Sequence, residues 1–305
     1  MSALSVRPRS DRTQNVSIWC GIKSTIVRRL SHKNWSMTTD RRTDAEGEES
    51  ADFLVALRPL TFADPFYWLA RGTHDFLRAP AIGLFFGGCF VAMGWALLGV
   101  FENAPAYVLG LSAGFLLVGP FFCMGLYHAS DRLERGERPR LVDAAMAWRR
   151  KLDTLAIFGV VLLVLEMLWA RASLVVFALT FEGTMPDFAG SLRSLVDPRN
   201  LDFILAWTAL GGVFATIIFS VSVVSIPMIL DRRTDAITAG LTSLRLVLTQ
   251  PVVLLSWAAI ITTLVVLAML PSFAGLLVVG PILGHASWHA YRASVEPLPP
   301  SIARR

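Results

Sequence analysis

The stretch Ala274-Gly-Leu-Leu-Val-Val-Gly-Pro281, running on into Ile-Leu-Gly-His285-Ala-Ser-Trp-His289-Ala-Tyr-Arg292, decides the fold. An apolar run closes in two histidines, two aromatic residues and an arginine, the composition of a helix leaving a bilayer. The stretch has an echo. Ala113-Gly-Phe-Leu-Leu-Val-Gly-Pro120 stands 161 positions earlier, and at that offset Tyr127 falls on Trp288 and His128 on His289. One membrane hairpin has been used more than once.

Composition agrees. Of 305 residues, 54% are hydrophobic and only 17% are charged, against roughly a quarter charged in soluble domains. The apolar residues fall in blocks of about 20, enough to cross a hydrocarbon core of roughly 30 Å as helix. Cys20, Cys89 and Cys123 form no framework, and two of them lie in apolar blocks, so free thiols are expected. The net charge of +5 reports topology rather than a nucleic-acid partner.

The blocks predict six spans: Pro80–Phe101, Pro105–His128, Thr154–Phe181, Phe203–Leu230, Pro251–Leu270, and a last one after the Pro271–Gly275 turn that ends near Arg292. Phe101–Ala104 is too short a link for anything but antiparallel neighbours. The third block would run roughly 42 Å as helix and must tilt or project. Lysine and arginine give the orientation: 25 of 28 lie before Pro80, in 131–153, in 231–250 or from Arg292 onward. The positive-inside rule puts all four segments, and both termini, in the cytoplasm. Residues 182–202, on the other side, carry four carboxylates against two arginines.

The connectors repeat as well. Asp64 stands 16 residues before Pro80, and Asp235 stands 16 before Pro251. Ile237, Leu241, Leu244 and Leu248 share one helix face, as do Leu141, Ala145, Trp148 and Leu152. These segments are predicted to lie on the cytoplasmic leaflet as amphipathic interfacial helices; the first of the three has the least regular face. The expected fold is all-α: six transmembrane helices as three hairpins, each preceded by such a helix. The expected boundaries are a disordered cytoplasmic region 1–61, a transmembrane domain 62–293 and a short cytoplasmic tail 294–305. Nothing in 1–36 reads as a secretory signal, and Met37 is an alternative translation start.

Several pieces have a familiar look: Gly87-Gly-Cys-Phe-Val-Ala-Met-Gly-Trp95, Gly114-Phe-Leu-Leu-Val-Gly-Pro120 with Gly125-Leu-Tyr127, Ser225-Ile-Pro-Met-Ile-Leu-Asp-Arg232 and Gly284-His-Ala-Ser-Trp-His-Ala-Tyr-Arg292. Over roughly Leu57–Ala293 the chain resembles a bacterial integral-membrane family catalogued as domain of unknown function 2189. The resemblance implies a bacterial inner-membrane protein and supplies no mechanism.

Few residues carry chemistry. His285 and His289 are four apart and share a helix face; with His128 they form a candidate metal or haem site, though H-x3-H is a weak signal without a further Glu, Asp or Cys. Anchor or packing histidines are the commoner use of such a pair. Glu166 is expected near mid-bilayer, where a charge costs roughly 2.5–3.5 kcal/mol. It must be neutral, paired with Arg171 or hydrogen-bonded by Thr216 or Ser220, or beside water in a proton or ion step. Gly83-x3-Gly87, Gly110-x3-Gly114, Gly211-x3-Ala215 and Gly280-x3-Gly284 read as close-packing sites, and Pro120, Pro227 and Pro281 as kinks that could frame a cavity. No catalytic constellation is present, so an enzyme is not expected and no cofactor is implied. The expected partners are the lipid bilayer and other membrane proteins. The remaining classes are a transporter-like protein, an envelope structural partner, and a haem- or metal-binding redox accessory protein.

Overall fold

The computed structural model describes residues 55–103, 108–180, 201–232 and 234–296. The chain divides into Met1–Leu54 and Val55–Arg305, and every described residue lies in the second unit. Expectations for residues 1–54, 104–107, 181–200, 233 and those beyond 296 fall outside the described residues.

The helices are α1 (Asp64–Arg78), α2 (Pro80–Asn103), α3 (Val108–Glu134), α4 (Leu141–Ala145), α5 (Leu152–Thr180), α6 (Leu201–Ser222), α7 (Ser225–Asp231), α8 (Ala236–Thr249), α9 (Pro251–Met269) and α10 (Leu276–Ser294), with a 3-10 turn at Ala147–Lys151. Among the described residues no strand forms. Leu57 and Val295 make an isolated antiparallel bridge, flanked by Arg58 N–H to Ser294 O at 2.9 Å and Glu296 N–H to Ala56 O at 3.0 Å. Four stretches among these residues are long and apolar enough to cross a membrane: Pro80–Val100, Leu152–Thr180, Leu201–Asp231 and Pro251–Met269.

Helix boundaries follow the prolines. A residue before proline is pushed out of the helical region by the ring. Ala79 (φ −131°, ψ 55°) and Gln250 (φ −134°, ψ 53°) therefore end α1 and α8 with nearly the same backbone, and Pro80 and Pro251 start the next helices. Each preceding helix also opens on an aspartate. Asp64 Oδ2 accepts from Thr61 N–H at 2.5 Å, and Asp235 Oδ2 caps α8 through Ile237 and Thr238 N–H at 3.0 and 2.9 Å. The first and third connectors thus end alike at their prolines but open differently: Asp235 caps α8, whereas Asp64 lies in the first turn of α1 and holds the residue three before it.

The second connector departs from it. No proline precedes Leu152. Met146 (φ −103°, ψ 6°) ends α4 after five residues, and the chain tightens into the 3-10 turn. The face expected from Leu141, Ala145, Trp148 and Leu152 is split over three elements. In α8 the expected apolar face does exist, turned outward: Ile237 and Leu248 are exposed, while Ala239, Thr242, Ser243 and Leu246 are buried.

Pro227 also leaves its mark, since α6 ends at Ser222 and α7 restarts at Ser225. A proline clashes with the carbonyl four residues back, here Val223, which is where the helix breaks. Pro281 lies inside α10.

At the centre stands α10, buried nearly all round from Pro281 to Ser294. Two close approaches hold its neighbours. A Cβ on Gly72 of α1 would meet Ala286 N and Ile282 O at 2.6 Å, and one on Gly87 of α2 would meet Leu277 O at 2.0 Å. Gly280 and Gly284 face Phe90 and Leu126 in the same manner, whereas Gly114 and Gly211 make no close contact. Tyr127 and Trp288, equivalent in the repeat, stack with centroids 6.5 Å apart and planes 28° apart.

Gly72→Ala must push α1 away from the α10 backbone, which has no rotamer with which to yield. We expect a loss of about 1–3 kcal/mol, read as a lowered thermal midpoint in detergent. An unchanged midpoint would mean that this contact is not fixed in solution.

Candidate functional site: a buried cluster of acids and histidines

The face that α1 buries is Trp68, Gly72, Asp75 and Phe76, at i, i+4, i+7 and i+8. Three of these suit an apolar contact; the fourth is a carboxylate that is only 5% exposed. A buried carboxylate needs partners, and α3 and α10 supply them. Asp75 Oδ2 accepts from Ser130 Oγ at 2.8 Å and lies 2.8 Å from His289 Nε2. Ser130 Oγ is in turn 2.8 Å from His285 Nδ1. With the serine proton committed to Asp75, His285 must donate from Nδ1 to Ser130. All donors then run toward the carboxylate: His285 to Ser130 to Asp75, and His289 to Asp75.

The cluster extends along α10. His289 Nδ1 is 3.4 Å from Glu134 Oε1, and Arg292 Nε is 3.3 Å from Glu134 Oε2. Arg292 also approaches Asp231 Oδ2, at 3.7 Å. Tyr291 O–H donates to Asp231 at 2.6 Å and accepts from Arg232 Nε at 2.9 Å. Arg232 also donates to Glu296 O, and Lys151 Nζ donates to Arg232 O at 2.7 Å. Helices α1, α3, α7 and α10 each contribute at least one charged group.

Burial alone would push the Asp75 carboxyl up. The hydrogen bonds from His289 and Ser130, with the nearby imidazoles, outweigh it and hold the group below the usual carboxylate range. Glu134 is likewise pushed up by burial and brought below its ordinary value by His289 and Arg292.

The histidines expected as a set are divided. His285 and His289 join the cluster, each with a ring nitrogen already engaged. His128 lines instead a polar cavity of about 460 Å³, with Asp131 and Arg135, that the cluster borders through Asp231 and Arg232. Among the described residues no group of three or more His, Cys, Asp or Glu side chains is placed to hold a metal ion. Glu166 is buried in α5, at 8% exposure. Among the described residues nothing pairs with it. Arg171 is exposed, and the Thr216 and Ser220 hydroxyls donate to Gly212 O and Thr216 O in their own helix.

Asp75, Ser130, Glu134 and Asp231 were not singled out in the sequence. The available signal was Asp75 itself, an acid on the apolar side of an otherwise basic segment.

Two outcomes follow from these contacts. Asp75 and Glu134 have ordinary values of 3.8 and 4.5 and lie below them when folded. The stability they lend is complete above those values and is lost as pH falls through and below them. Thermal midpoints in detergent should drop on the acid side, and Asp75→Asn, which still faces His289, Ser130, His285 and His74, should make that drop shallower. A parallel profile would remove Asp75 from the linkage. Glu166→Gln, which keeps shape and removes an unpaired acid, should leave stability within about 0.5 kcal/mol of the parent or raise it; a large loss would reveal a charged partner.

No curated protein and no solved structure matches the chain. Residues 107–231 match a predicted integral membrane protein family, domain of unknown function 2189. That stretch includes Tyr127, Ser130, Glu134, Glu166 and Asp231 but neither Asp75 nor the histidines of α10. The match and the four apolar helices together make this chain an integral membrane protein similar, over residues 107–231, to that family.

Proposed function

We propose that the chain is a six-span inner-membrane protein of transporter-like type, with both termini cytoplasmic and the Asp75 cluster as its proton-responsive element. The topology is supported by the Leu57–Val295 bridge: chain entering and leaving the bundle side by side requires an even number of crossings. Helix α3 as far as His128, and α10, serve as the second and sixth spans, and the last turns of α3, with Glu134, lie beyond the second span. The Lys and Arg distribution supports a cytoplasmic-leaflet position for α1, α4 and α8, which would let the outward Ile237 and Leu248 meet lipid.

The observation that carries the function is the carboxylate shared by His289 and Ser130 between an interfacial helix and the central span. When Asp75 takes up a proton it becomes a donor. Its O–H can then donate to Ser130, and the Ser130 hydrogen can turn toward His285 Nδ1 once the single imidazole hydrogen has moved from Nδ1 to Nε2, which is unpartnered among the described residues; with that tautomer change the bonds along Asp75–Ser130–His285 run the other way. A group that changes from acceptor to donor inside a packed interface alters how α1 is latched to α10, which is what a proton-coupled conformational cycle requires.

The topology is read by impermeant maleimide labelling in a cysteine-free background. Asn103→Cys and Ser272→Cys should label from the periplasmic side and Glu137→Cys only after lysis; the reverse pattern overturns the orientation. The proton role is read in liposomes containing the pH dye pyranine under an imposed potassium potential. The parent protein should exceed protein-free liposomes in proton flux, and Asp75→Asn and Ser130→Ala should each fall at least tenfold. Full flux in Ser130→Ala would exclude the relay. Parent flux equal to that of protein-free liposomes would exclude proton-linked transport and leave the envelope structural role.

A further inference from the structure

Between the start of α2 and the connection from α3 to α4 lies a cavity of about 480 Å³. Two arginines line it from different parts of the chain, Arg78 at the end of α1 and Arg138 in the connection. Both are exposed, and among the described residues neither guanidinium has an acidic partner. Glu137 also lines the cavity, but its carboxylate is held by Arg132. The floor is apolar and closed by Ile82 and Leu133, both buried. The side facing away from the bundle is open. Ala81 lines the cavity, and Leu84 and Phe85, three and four residues on, continue the same face of α2 and are exposed. One turn further, a Cβ on Gly88 would meet nothing within 4 Å. An apolar track thus leads from two unpaired cations along a helix long and apolar enough to cross a membrane.

We propose that this cavity binds the headgroup of an anionic glycerophospholipid, with its phosphate between Arg78 and Arg138 and an acyl chain along Ala81, Leu84 and Phe85. Guanidinium groups match phosphate oxygens in both shape and charge. The carboxylate among the lining residues is already neutralised, so the ammonium of a zwitterionic lipid would find no free acid here. A free phosphate ion would satisfy the arginines and leave the Leu84–Phe85 track bare. The cavity around His128 differs, because Asp131, Asp143 and Asp231 stand beside its cations and oppose an anion. The inference rests on the membrane orientation proposed above, which sets Arg78 and Arg138 at the level of lipid phosphates, and on no movement of protons or solute.

The test uses the full chain in detergent, with bound lipid counted by native mass spectrometry. The probes are dioleoyl phosphatidylglycerol and dioleoyl phosphatidylcholine. The first phosphatidylglycerol should bind about twentyfold more tightly than the first phosphatidylcholine, about fivefold for each arginine beside an anionic lipid. Arg78→Gln and Arg138→Gln should each remove one such factor and leave phosphatidylcholine binding unchanged. Both side chains are unpaired, so these variants should keep the parent's thermal midpoint; a lowered midpoint would reveal a partner within the chain and overturn the site. Arg245→Gln removes an exposed arginine of α8 outside the cavity and should change nothing. Ala81→Trp keeps both arginines and fills the cavity, so it should abolish the preference as well. An equal loss in Arg245→Gln would mean general surface charge, equal affinity for the two lipids would mean no headgroup recognition, and displacement by glycerol phosphate would mean a site for a free phosphate; each overturns the proposal. Labelling of Glu137→Cys from the outside would fail the orientation and leave the lipid site standing; absent lipid preference with the expected labelling does the reverse.

Discussion

A carboxylate cannot be buried without donors, and Asp75 is buried. That constraint orders much of the bundle. Its donors come from two other helices, so α1 must lie across α3 and α10 at one register, with Ser130 and His289 both 2.8 Å from the same oxygen. Such an approach is open only to a helix with no side chain at the crossing point, and Gly72, one turn before Asp75, is that residue. Breaking such an arrangement on one side is costly, because the partner left behind remains buried. The polar cluster fixes where α1 sits, and the apolar contacts of Trp68 and Phe76 supply the area that holds it there.

The repeat has the same kind of local cause. A proline both forbids helix in the residue before it and favours helix after it. Placing one proline after each of two aspartate-headed helices gives the same break at Ala79 and at Gln250, within a few degrees. The second connector, without the proline, bends by a short helix and a 3-10 turn instead, and its Lys151 reaches the Arg232 carbonyl. Sequence similarity between the units is faint, yet the two prolines alone reproduce the geometry.

The apolar helices and their starting points were legible because each depends on neighbours in sequence: block length, prolines, the capping Asp235. The cluster was not, because its members lie far apart along the chain. Asp75 and His289 are separated by 214 positions, and Asp75 sits between Arg71 and Arg78, in a segment that reads as solvated. What appeared as an irregular apolar face in the first connector is the inward turn of this one acid. His285 and His289 were recognisable as a pair on one face, but their spacing says nothing of what they face. Glu166 was recognisable as expensive; its expected partners, Thr216 and Ser220, are occupied by carbonyls of their own helix, a habit of hydroxyls in apolar helices. In α8 the period was correct and its meaning lay in the opposite face, where small residues and hydroxyls pack inward.

The cluster shares α10 with an apolar cavity of about 600 Å³ that lies between α2, α3, α6, α9 and α10. His285 and His289 face α1 and α3, while Ser287, between them in sequence, lines the cavity, and Trp288 stacks on Tyr127, which lines it too. Successive residues on a helix point about 100° apart, so one turn of α10 presents the acid–histidine contact on one side and the cavity wall on the other. A rigid helix cannot move one of these faces alone. A displacement of α10 itself would therefore be felt at both the acid–histidine contact and the cavity wall. Coupling between the two requires no longer path than this single turn.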